Sequence, residues 1–186
     1  MRVITGKARG VQLKTPEGMD TRPTADRVKE AMFSIIQFDI PGAHVLDLFG
    51  GTGQLGIEAL SRGAERAVFV DSWDAACRLI NENLTRARLE PQARVIRSDY
   101  VNYLKGCAEK YDIIFLDPPY AETYLENSLK MIREIDILQS DGIIVTERPV
   151  GKELLFSPDG FERSRDYKYG STLVTIFRKT ESGRSI

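Results

Sequence analysis

From residue 43 onwards, short apolar runs alternate with longer stretches of helical periodicity, and this alternation limits the possible folds more than any other feature. The apolar runs lie at 44–48, 67–71, 93–96, 113–116 and 143–147. Runs without polar alternation are typical of strands that are buried on both faces of a parallel sheet. The stretches with helical periodicity lie at about 54–62, 74–89, 99–106 and 123–137. We therefore predict an α/β fold in which helices cover both faces of a mostly parallel sheet.

The C-terminal part of the chain has a different pattern. Residues 161–167 and 171–178 are predicted to be strands, and the turn dipeptide Tyr169-Gly170 joins them. Two strands that are joined by so short a connection must be antiparallel. With the five parallel strands, they predict a seven-stranded sheet that ends in an antiparallel hairpin.

The N-terminal part is predicted to be a small extension of the sheet domain. Residues 2–5 and 10–14 have the pattern of a β-hairpin, and a helix begins near Thr24 and ends before Pro41-Gly42. We expect this extension to pack on the main domain and to contact the substrate. The predicted parts are an extension (1–40), a main domain (41–179) and a flexible tail (180–186).

Composition argues against several classes of protein. No apolar run is long enough to span a bilayer, and the N-terminus lacks the apolar core of a signal peptide. We therefore expect a cytoplasmic protein, with Cys77 and Cys107 reduced. Neither cysteine belongs to a metal-spaced cluster, and His44 is the only histidine, so we expect no metal site and no Ser-His-Asp triad.

The charges are unevenly distributed, although the net charge is only −1. Residues 1–30 and 148–186 each carry a net +3, whereas residues 31–147 carry −7. If the two basic ends meet on one face, they can form a surface that binds phosphates. Charge alone leaves chance variation between short blocks as an equal alternative.

A glycine-rich segment, V-L-D-L-F-G-G-T-G-Q-L-G, runs from the first strand into a helix. Its glycines allow the backbone to approach a ligand closely, and the helix N-terminus presents free N–H groups. The spacing Gly51-x-Gly53-x-x-Gly56, followed about twenty residues later by Asp71, also fits the fingerprint of nicotinamide dehydrogenases. We predict a nucleotide cofactor at Phe49, Gly51 and Gly53, with a dehydrogenase as the alternative.

Three aspartates follow three successive strands of the predicted sheet, and their positions favour a different cofactor. Asp47 precedes the glycines, where it would repel a pyrophosphate but attract the ammonium group of a methionine moiety. Asp71, with Ser72 beside it, is the candidate acceptor for a ribose diol, because strand ends face the ligand crevice. Asp99 is the corresponding candidate for an adenine amino group. Together they favour S-adenosylmethionine.

An aromatic side chain next to these acids is a candidate for packing against the adenine ring. Tyr100 follows Asp99, and Trp73 lies two residues after Asp71. Aromatic residues at such positions are equally often ordinary packing residues, so the pattern does not choose between the two.

The motif Asp117-Pro118-Pro119-Tyr120 ends the fourth strand and carries the strongest chemical signal in the chain. The two prolines restrict the backbone and remove its N–H donors, so the Asp117 carboxylate and the Pro118 carbonyl are left as acceptors. Two acceptors can hold the hydrogens of an exocyclic amine and turn its lone pair towards a methyl donor, where positioning supplies much of the rate. Tyr120 is predicted to stack on the target base.

These residues resemble a class I Rossmann-like methyltransferase that acts on base amino groups, and further motifs narrow the resemblance. Taken together, they resemble the bacterial RsmD-type family of 16S ribosomal RNA guanine-N2 methyltransferases. The matching motifs are Arg2-Val3-Ile4-x-Gly6-x-x-x-Gly10, Arg22-Pro23-Thr24-x-Asp26-Arg27-Val28-x-Glu30-x-x-Phe33, the run from Leu55 to Ala64, and Tyr169-Gly170-x-Thr172.

The resemblance implies S-adenosylmethionine as cofactor and guanine N2 in the small ribosomal subunit, or in an assembly intermediate, as substrate. Four basic residues of the N-terminal part are the expected phosphate contacts: Lys7, Arg9, Arg22 and Arg27. A monomer is expected. The alternatives are a DNA adenine-N6 enzyme, a protein-glutamine methyltransferase and an inactive assembly factor. Asp117 argues against the protein-directed enzymes, which usually carry Asn there, and the chain is too short for a DNA-recognition domain.

Overall fold

The computed structural model describes residues 1–16, 23–119, 123–152, 154 and 160–180. The helices in this part of the chain are α1 (Pro23–Ile35), α2 (Gln54–Ser61), α3 (Asp74–Ala87), α4 (Tyr100–Gly106) and α5 (Tyr124–Ile135). The strands are β1 (His44–Asp47), β2 (Arg66–Asp71), β3 (Ala93–Arg97), β4 (Tyr111–Leu116), β5 (Leu138–Pro149), β6 (Phe161–Arg163), β7 (Tyr167–Tyr169) and β8 (Thr172–Lys179). No helix among the described residues is both long and apolar enough to cross a membrane.

The strands form one sheet in the order β3-β2-β1-β4-β5-β8-β6, and β7 also pairs with β8. Strands β1 to β5 are parallel, and β8 runs antiparallel to β5. The predicted α/β fold with a C-terminal antiparallel hairpin is therefore confirmed. Strand order reverses between β1 and β4, and the carboxyl ends of such strands open a crevice where ligands bind in folds of this type.

The sheet differs from the prediction at its antiparallel end, where one predicted strand is divided in two. The sequence predicts a single strand over 161–167, but Asp166 interrupts it and accepts hydrogen bonds from Arg148 (2.5 Å) and Thr175 (2.6 Å). Arg148 is only 5% exposed, and a buried guanidinium is costly without a carboxylate partner. The described sheet thus has eight strands instead of seven.

The two faces of the sheet bury separate apolar clusters. Helices α1, α2 and α3 cover the face that includes Phe115 of β4, and Phe33 of α1 packs against that ring at 5.5 Å. Helices α4 and α5 cover the opposite face, which includes Ile114 and Leu116. Successive side chains of a strand point to opposite faces, so this alternation decides which residues at the carboxyl end of β4 share the face of α1.

The predicted N-terminal hairpin is present, but its ladder is short. A single antiparallel bridge joins Arg2 to Gln12, and the amide of Val3 donates to the carbonyl of Val11 at 3.0 Å. The turn docks on the end of α2, where the amide of Lys7 donates to the carbonyl of Ser61 at 2.8 Å. The remaining backbone groups of the hairpin are directed to the helices beneath it, so it forms no longer strands.

A buried carboxylate, Glu58 of α2, ties the hairpin to α1. It is fully buried and accepts hydrogen bonds from the amides of Ile4 (2.8 Å) and Thr5 (3.0 Å) and from Arg62 (2.8 Å). The ammonium group of Lys29 lies 3.4 Å from the same carboxylate and is 97% buried, and burial lowers its pKa while Glu58 opposes that effect. Each oxygen of Glu58 is therefore compensated by both an amide and a cation.

Candidate active site

The glycine-rich loop between β1 and α2 lies at the carboxyl end of the sheet. Gly51 and Gly53 have φ angles of +54° and +78°, in the left-handed region that favours glycine. Gly53 immediately precedes α2, and the first N–H groups of a helix lack partners within it. The loop therefore presents backbone donors with no side chains in front of them, which is the arrangement predicted for a cofactor.

Asp47, the last residue of β1, lies beneath this loop. Its side chain is 98% buried, and Oδ2 accepts a hydrogen bond from the amide of Gly56 at 3.1 Å. Burial raises the pKa of Asp47 to about 7, and the carboxylates of Asp117 and Asp71 add to the effect against the Gly56 hydrogen bond. A cation placed next to this carboxylate would relieve that cost, so the position fits the ammonium group of a methionine moiety.

Asp71, the last residue of β2, holds the glycine loop closed. Oδ2 accepts a hydrogen bond from the amide of Gly51 and Oδ1 from the amide of Trp73, both at 2.9 Å. Ser72 lies between Asp71 and Trp73 and is exposed. The structure therefore brings Asp71 and Ser72 to the edge of the cofactor loop, and their contact with a ribose stays a prediction.

Asp99 lies at the end of β3 and caps helix α4. Its Oδ1 accepts a hydrogen bond from the amide of Val101 at 2.9 Å, as expected of an N-cap residue. Next to it, the ring of Tyr100 packs against Phe49 at 5.3 Å and edge-on to Tyr124 at 5.5 Å. This aromatic cluster borders the glycine loop through Phe49, so the predicted adenine contacts of Asp99 and Tyr100 lie at the same edge of the sheet.

Trp73 and Tyr100, the two aromatic candidates for the adenine face, are in opposite environments. Trp73 is 74% exposed at the beginning of α3, whereas Tyr100 is 8% exposed within the aromatic cluster. An adenine next to Asp99 would meet the buried cluster first. We therefore keep Tyr100 as the predicted contact.

Asp117 follows β4 directly and lies next to the end of β1. The register pairs Phe115 with Asp47, so Asp117 continues the same face of the sheet two residues further on. It is half-buried, and burial raises its pKa to about 6. Pro118 is buried beside it, whereas Tyr120 lies outside the described residues. The predicted acceptor pair of Asp117 and Pro118 thus lies at the carboxyl end of the strand beside the glycine loop.

Glu147 is a further carboxylate at this edge that the sequence motifs do not mark. The register pairs Leu116 with Thr146, so Glu147 lies beside Asp117 on the neighbouring strand. It is half-buried, and burial, followed by the charge of Asp117, raises its pKa to about 8. The rule that selects Asp71 and Asp99, an acid at the end of a predicted strand, would also have selected Glu147.

Asn83 of α3 is a second residue that the sequence does not reveal, and it connects the glycine loop to the N-terminal segment. Its side chain is fully buried, and Nδ2 donates to the carbonyl of Thr52 in the loop at 2.9 Å. The same carboxamide accepts from the amide of Lys14 at 2.7 Å and donates to its carbonyl at 3.1 Å. No local pattern marks this residue, because its three partners are far from it in sequence.

The structure separates the basic residues of the N-terminal part. The Lys7 amide binds the end of α2 and its ammonium group contacts Gln92, which precedes β3, so Lys7 and the nearby Arg9 lie at the amino end of the sheet. Six-residue strands place that end roughly 20 Å from the glycine loop.

Arg27 lies near the beginning of α1 and is exposed. Just beyond the end of α1, Asp39 pairs with Arg178, which is opposite Ile143 near the amino end of the parallel part of β5. The helix therefore begins at the end of the sheet that carries Asp117, and Arg27 lies there. Arg22 is outside the described residues.

The only histidine lies away from the crevice. His44 begins β1, with Nε2 at 3.1 Å from Glu65 and Nδ1 at 2.9 Å from Arg66. A dehydrogenase that used it as an acid or base would need it at the carboxyl end of the strand instead. Among the described residues, no group of three His, Cys, Asp or Glu side chains is arranged to hold a metal ion.

Comparison with known proteins gives relatives that match over most of the chain. The chain is 42% identical over 182 residues to YlbH of Bacillus subtilis strain 168, covering 96% of the chain and 99% of that protein. It is 30% identical to Ribosomal RNA small subunit methyltransferase D of Escherichia coli strain K12, covering 100% of the chain and 93% of that protein. The solved structure of Escherichia coli YhhF superposes with a TM-score of 0.86 at 28% identity, covering 96% and 97%.

A family model described as Conserved hypothetical protein 95 matches residues 1–178, so the match includes both the N-terminal motifs and the acids at the carboxyl end of the sheet. The chain therefore belongs to this family, the RsmD-type family that its motifs resemble.

Proposed function

We propose that this protein transfers a methyl group from S-adenosylmethionine to the exocyclic N2 amine of a guanine in 16S RNA of the small ribosomal subunit. The observation that carries the proposal is the position of Asp117 and Pro118 at the crevice, beside the glycine loop and the buried Asp47. The rRNA methyltransferase among the relatives supports RNA as the substrate class. Family membership supports action in the cytoplasm, and we propose a monomer.

The residues at the crevice fit S-adenosylmethionine. Gly51 and Gly53 would lie beneath the methionine part, and Asp47 would bind its ammonium group. Asp71 and Ser72 would contact the ribose. When bound, the sulfonium supplies an electrophilic methyl group. The adenine would lie near the residues that follow β3 and their aromatic neighbour: Asp99, Tyr100 and Phe49.

The protein's own contribution is to orient the amine and to accept its hydrogens. Carboxylate and carbonyl oxygens at Asp117 and Pro118 accept the two N–H bonds, so the nitrogen lone pair turns away from the ring and towards the cofactor side of the crevice. Formation of the N–CH₃ bond breaks the C–S bond and leaves a proton on nitrogen. Asp117, whose pKa burial raises to about 6, can take that proton.

The N-terminal extension is proposed to hold the RNA. It begins α1 at the end of the sheet that carries Asp117, and Arg27 is exposed there. Lys7 and Arg9 would contact phosphates at the far end of the hairpin, so the bound RNA would extend along roughly 20 Å of the protein surface. We propose the division into residues 1–40 and 41–179 on this functional ground.

Mass spectrometry of nucleosides tests the proposal directly. The protein is incubated with S-adenosylmethionine and unmethylated small ribosomal subunits, and the Asp117→Ala variant is the control. We expect N2-methylguanosine with the wild type and a loss of about 10²–10³-fold in the variant, the range for removal of one preorganised polar group. Calorimetry should give similar cofactor affinities for both proteins.

Other products would point to the alternatives. N6-methyladenine in a DNA arm, or methylglutamine in a protein arm, would replace guanine N2 as the reaction. Binding of NAD without binding of S-adenosylmethionine would establish a dehydrogenase. Normal turnover by Asp117→Ala would contradict the acceptor role of that carboxylate.

A further inference from the structure

We propose that Glu147 is a specificity-determining residue that accepts a hydrogen bond from N1–H of the target base and thereby selects guanine. The inference rests on the proposed function, since it assigns the edge of the base that carries the methylated amine. The strand register, the order of the strands and the chemistry of base edges support it.

The register places Glu147 next to Asp117. Leu116 pairs with Thr146, so the following residues, Asp117 and Glu147, are neighbours on adjacent parallel strands about 4.8 Å apart. Phe115 and Val145, two residues earlier, both belong to the apolar cluster on the face of α1. Because side chains alternate along strands, the carboxylates of Asp117 and Glu147 belong to that same face.

Strand order then separates a cofactor side from a substrate side. Asp47 shares this face through its pairing with Phe115, and it lies on β1 beneath the glycine loop. The order β1-β4-β5 therefore gives a row of Asp47, Asp117 and Glu147, in which Glu147 is farthest from the loop. If Asp117 holds the reacting amine, the rest of the base edge lies over Glu147.

Only guanine offers that position a hydrogen. In guanine the ring nitrogen next to the exocyclic amine carries N1–H, whereas in adenine and cytosine the corresponding nitrogen is an acceptor. A carboxylate opposite an acceptor nitrogen gains no hydrogen bond and repels its lone pair. Enzymes that act on an extruded base commonly read this edge through hydrogen bonds.

The electrostatics of the pair support a ligand rich in N–H donors. Burial raises the pKa of both carboxyls, and the charge of Asp117 contributes to the shift at Glu147. An edge with N1–H and two N2–H donors supplies hydrogen bonds that favour the ionised forms of both groups.

A base analogue tests the assignment. After the modified nucleotide has been mapped with the wild type, small subunits are reconstituted from ligated 16S fragments with guanine or 2,6-diaminopurine at that position. The analogue keeps the N2 amine but has an acceptor at N1. We expect the wild type to prefer guanine by about 100-fold or more in kcat/KM, because a site that bonds an N–H rejects an analogue lacking it.

The Glu147→Gln variant should reduce this preference by at least about tenfold, since its amide can donate to N1 of the analogue. An inactive fraction would lower both rates equally and cancel in the ratio, so imperfect folding cannot imitate the result. Glu134→Gln, the same chemical change on the exposed side of α5, should keep the wild-type ratio.

Equal use of guanine and the analogue by the wild type would overturn the assignment, as would an unchanged ratio in Glu147→Gln. Failure of the proposed function would look different, because the wild type would then form no N2-methylguanosine on either substrate.

Discussion

Glu58 and the carboxylates at the crevice are all withdrawn from water, but the protein surrounds them in opposite ways. Glu58 receives two backbone amides, and Lys29 and Arg62 lie within 3.4 Å of its oxygens. At the crevice, Asp47 receives one amide, and the charges that act on it are those of other carboxylates. The first arrangement offsets the cost of burying a charge, and the second leaves much of that cost in place.

The difference indicates which buried acids serve the fold and which serve a ligand. A compensated carboxylate becomes a weakness only when its partners are lost, because an unpaired buried cation then remains. An uncompensated carboxylate destabilises the ligand-free protein and is relieved when a cation or an N–H donor binds. Strain of this kind at a functional site is the usual origin of a conflict between stability and activity.

The largest expected effect is on folding, at Glu58. Glu58→Gln removes the charge that compensates Lys29 and Arg62, and the free energy of unfolding in urea should fall by about 3 kcal/mol or more. Glu109→Gln, which breaks the exposed pair with Arg94, is the matched control and should cost less than about 1 kcal/mol. A loss at Glu58 as small as that of the control would erase the distinction between the two regions.

The opposite sign is expected at Asp117. A carboxyl with a raised pKa stabilises the folded state at pH values below about 4, and that contribution is lost as the pH rises through about 6. Asp117→Asn should therefore leave stability nearly unchanged at pH 4 and increase it by roughly 1–3 kcal/mol at pH 8. The measurement is urea unfolding of the ligand-free protein at both pH values, and a variant that is less stable at pH 8 would contradict it.

Asn83 lies between these two regions, and its removal should affect both. Asn83→Ala leaves the buried carbonyl of Thr52 and the backbone of Lys14 without partners, which should cost about 1–3 kcal/mol of stability. Since Thr52 belongs to the glycine loop, affinity for S-adenosylmethionine should also fall several-fold in calorimetry. Asn81→Ala removes an exposed carboxamide from the same helix and should change neither quantity.

The smallest effect is expected at the hairpin turn, which is far from both groups of acids. Lys7→Ala combined with Arg9→Ala should weaken RNA binding and lower its salt slope by about 2, one for each phosphate contact. Cofactor affinity should stay at the wild-type value, because the turn lies at the amino end of the sheet. Equal losses of RNA and cofactor affinity in filter binding and calorimetry would exclude a phosphate-contact role.

Much of the crevice could be predicted because parallel strands follow a simple rule. A strand that is buried on both faces reads as an apolar run, and the polar residue after it lies at the ligand-binding edge. That rule alone predicts that Asp47, Asp71 and Asp117 lie at one edge of the sheet. Glu147 obeys the same rule but ends the fifth strand, beyond the cofactor motifs, and its importance depends on the pairing of β4 with β5.

Contacts between distant segments could not be predicted in this way. Asn83 binds residues 31 and 69 positions away, and Glu58 binds amides 53 and 54 positions away. The interruption between β6 and β7 likewise depends on Arg148, which needs the carboxylate of Asp166.

By itself, the sequence determined the α/β class, the cofactor loop, the Asp117-Pro118 acceptors and the family, because each is encoded in a contiguous run of residues. Only the tertiary structure decided that Glu58 is compensated while the crevice acids are not, that Glu147 lies beside Asp117, and that Lys7 is remote from the crevice. The physical reason is that desolvation and pairing depend on which distant segments pack against a side chain, and local sequence does not encode that packing.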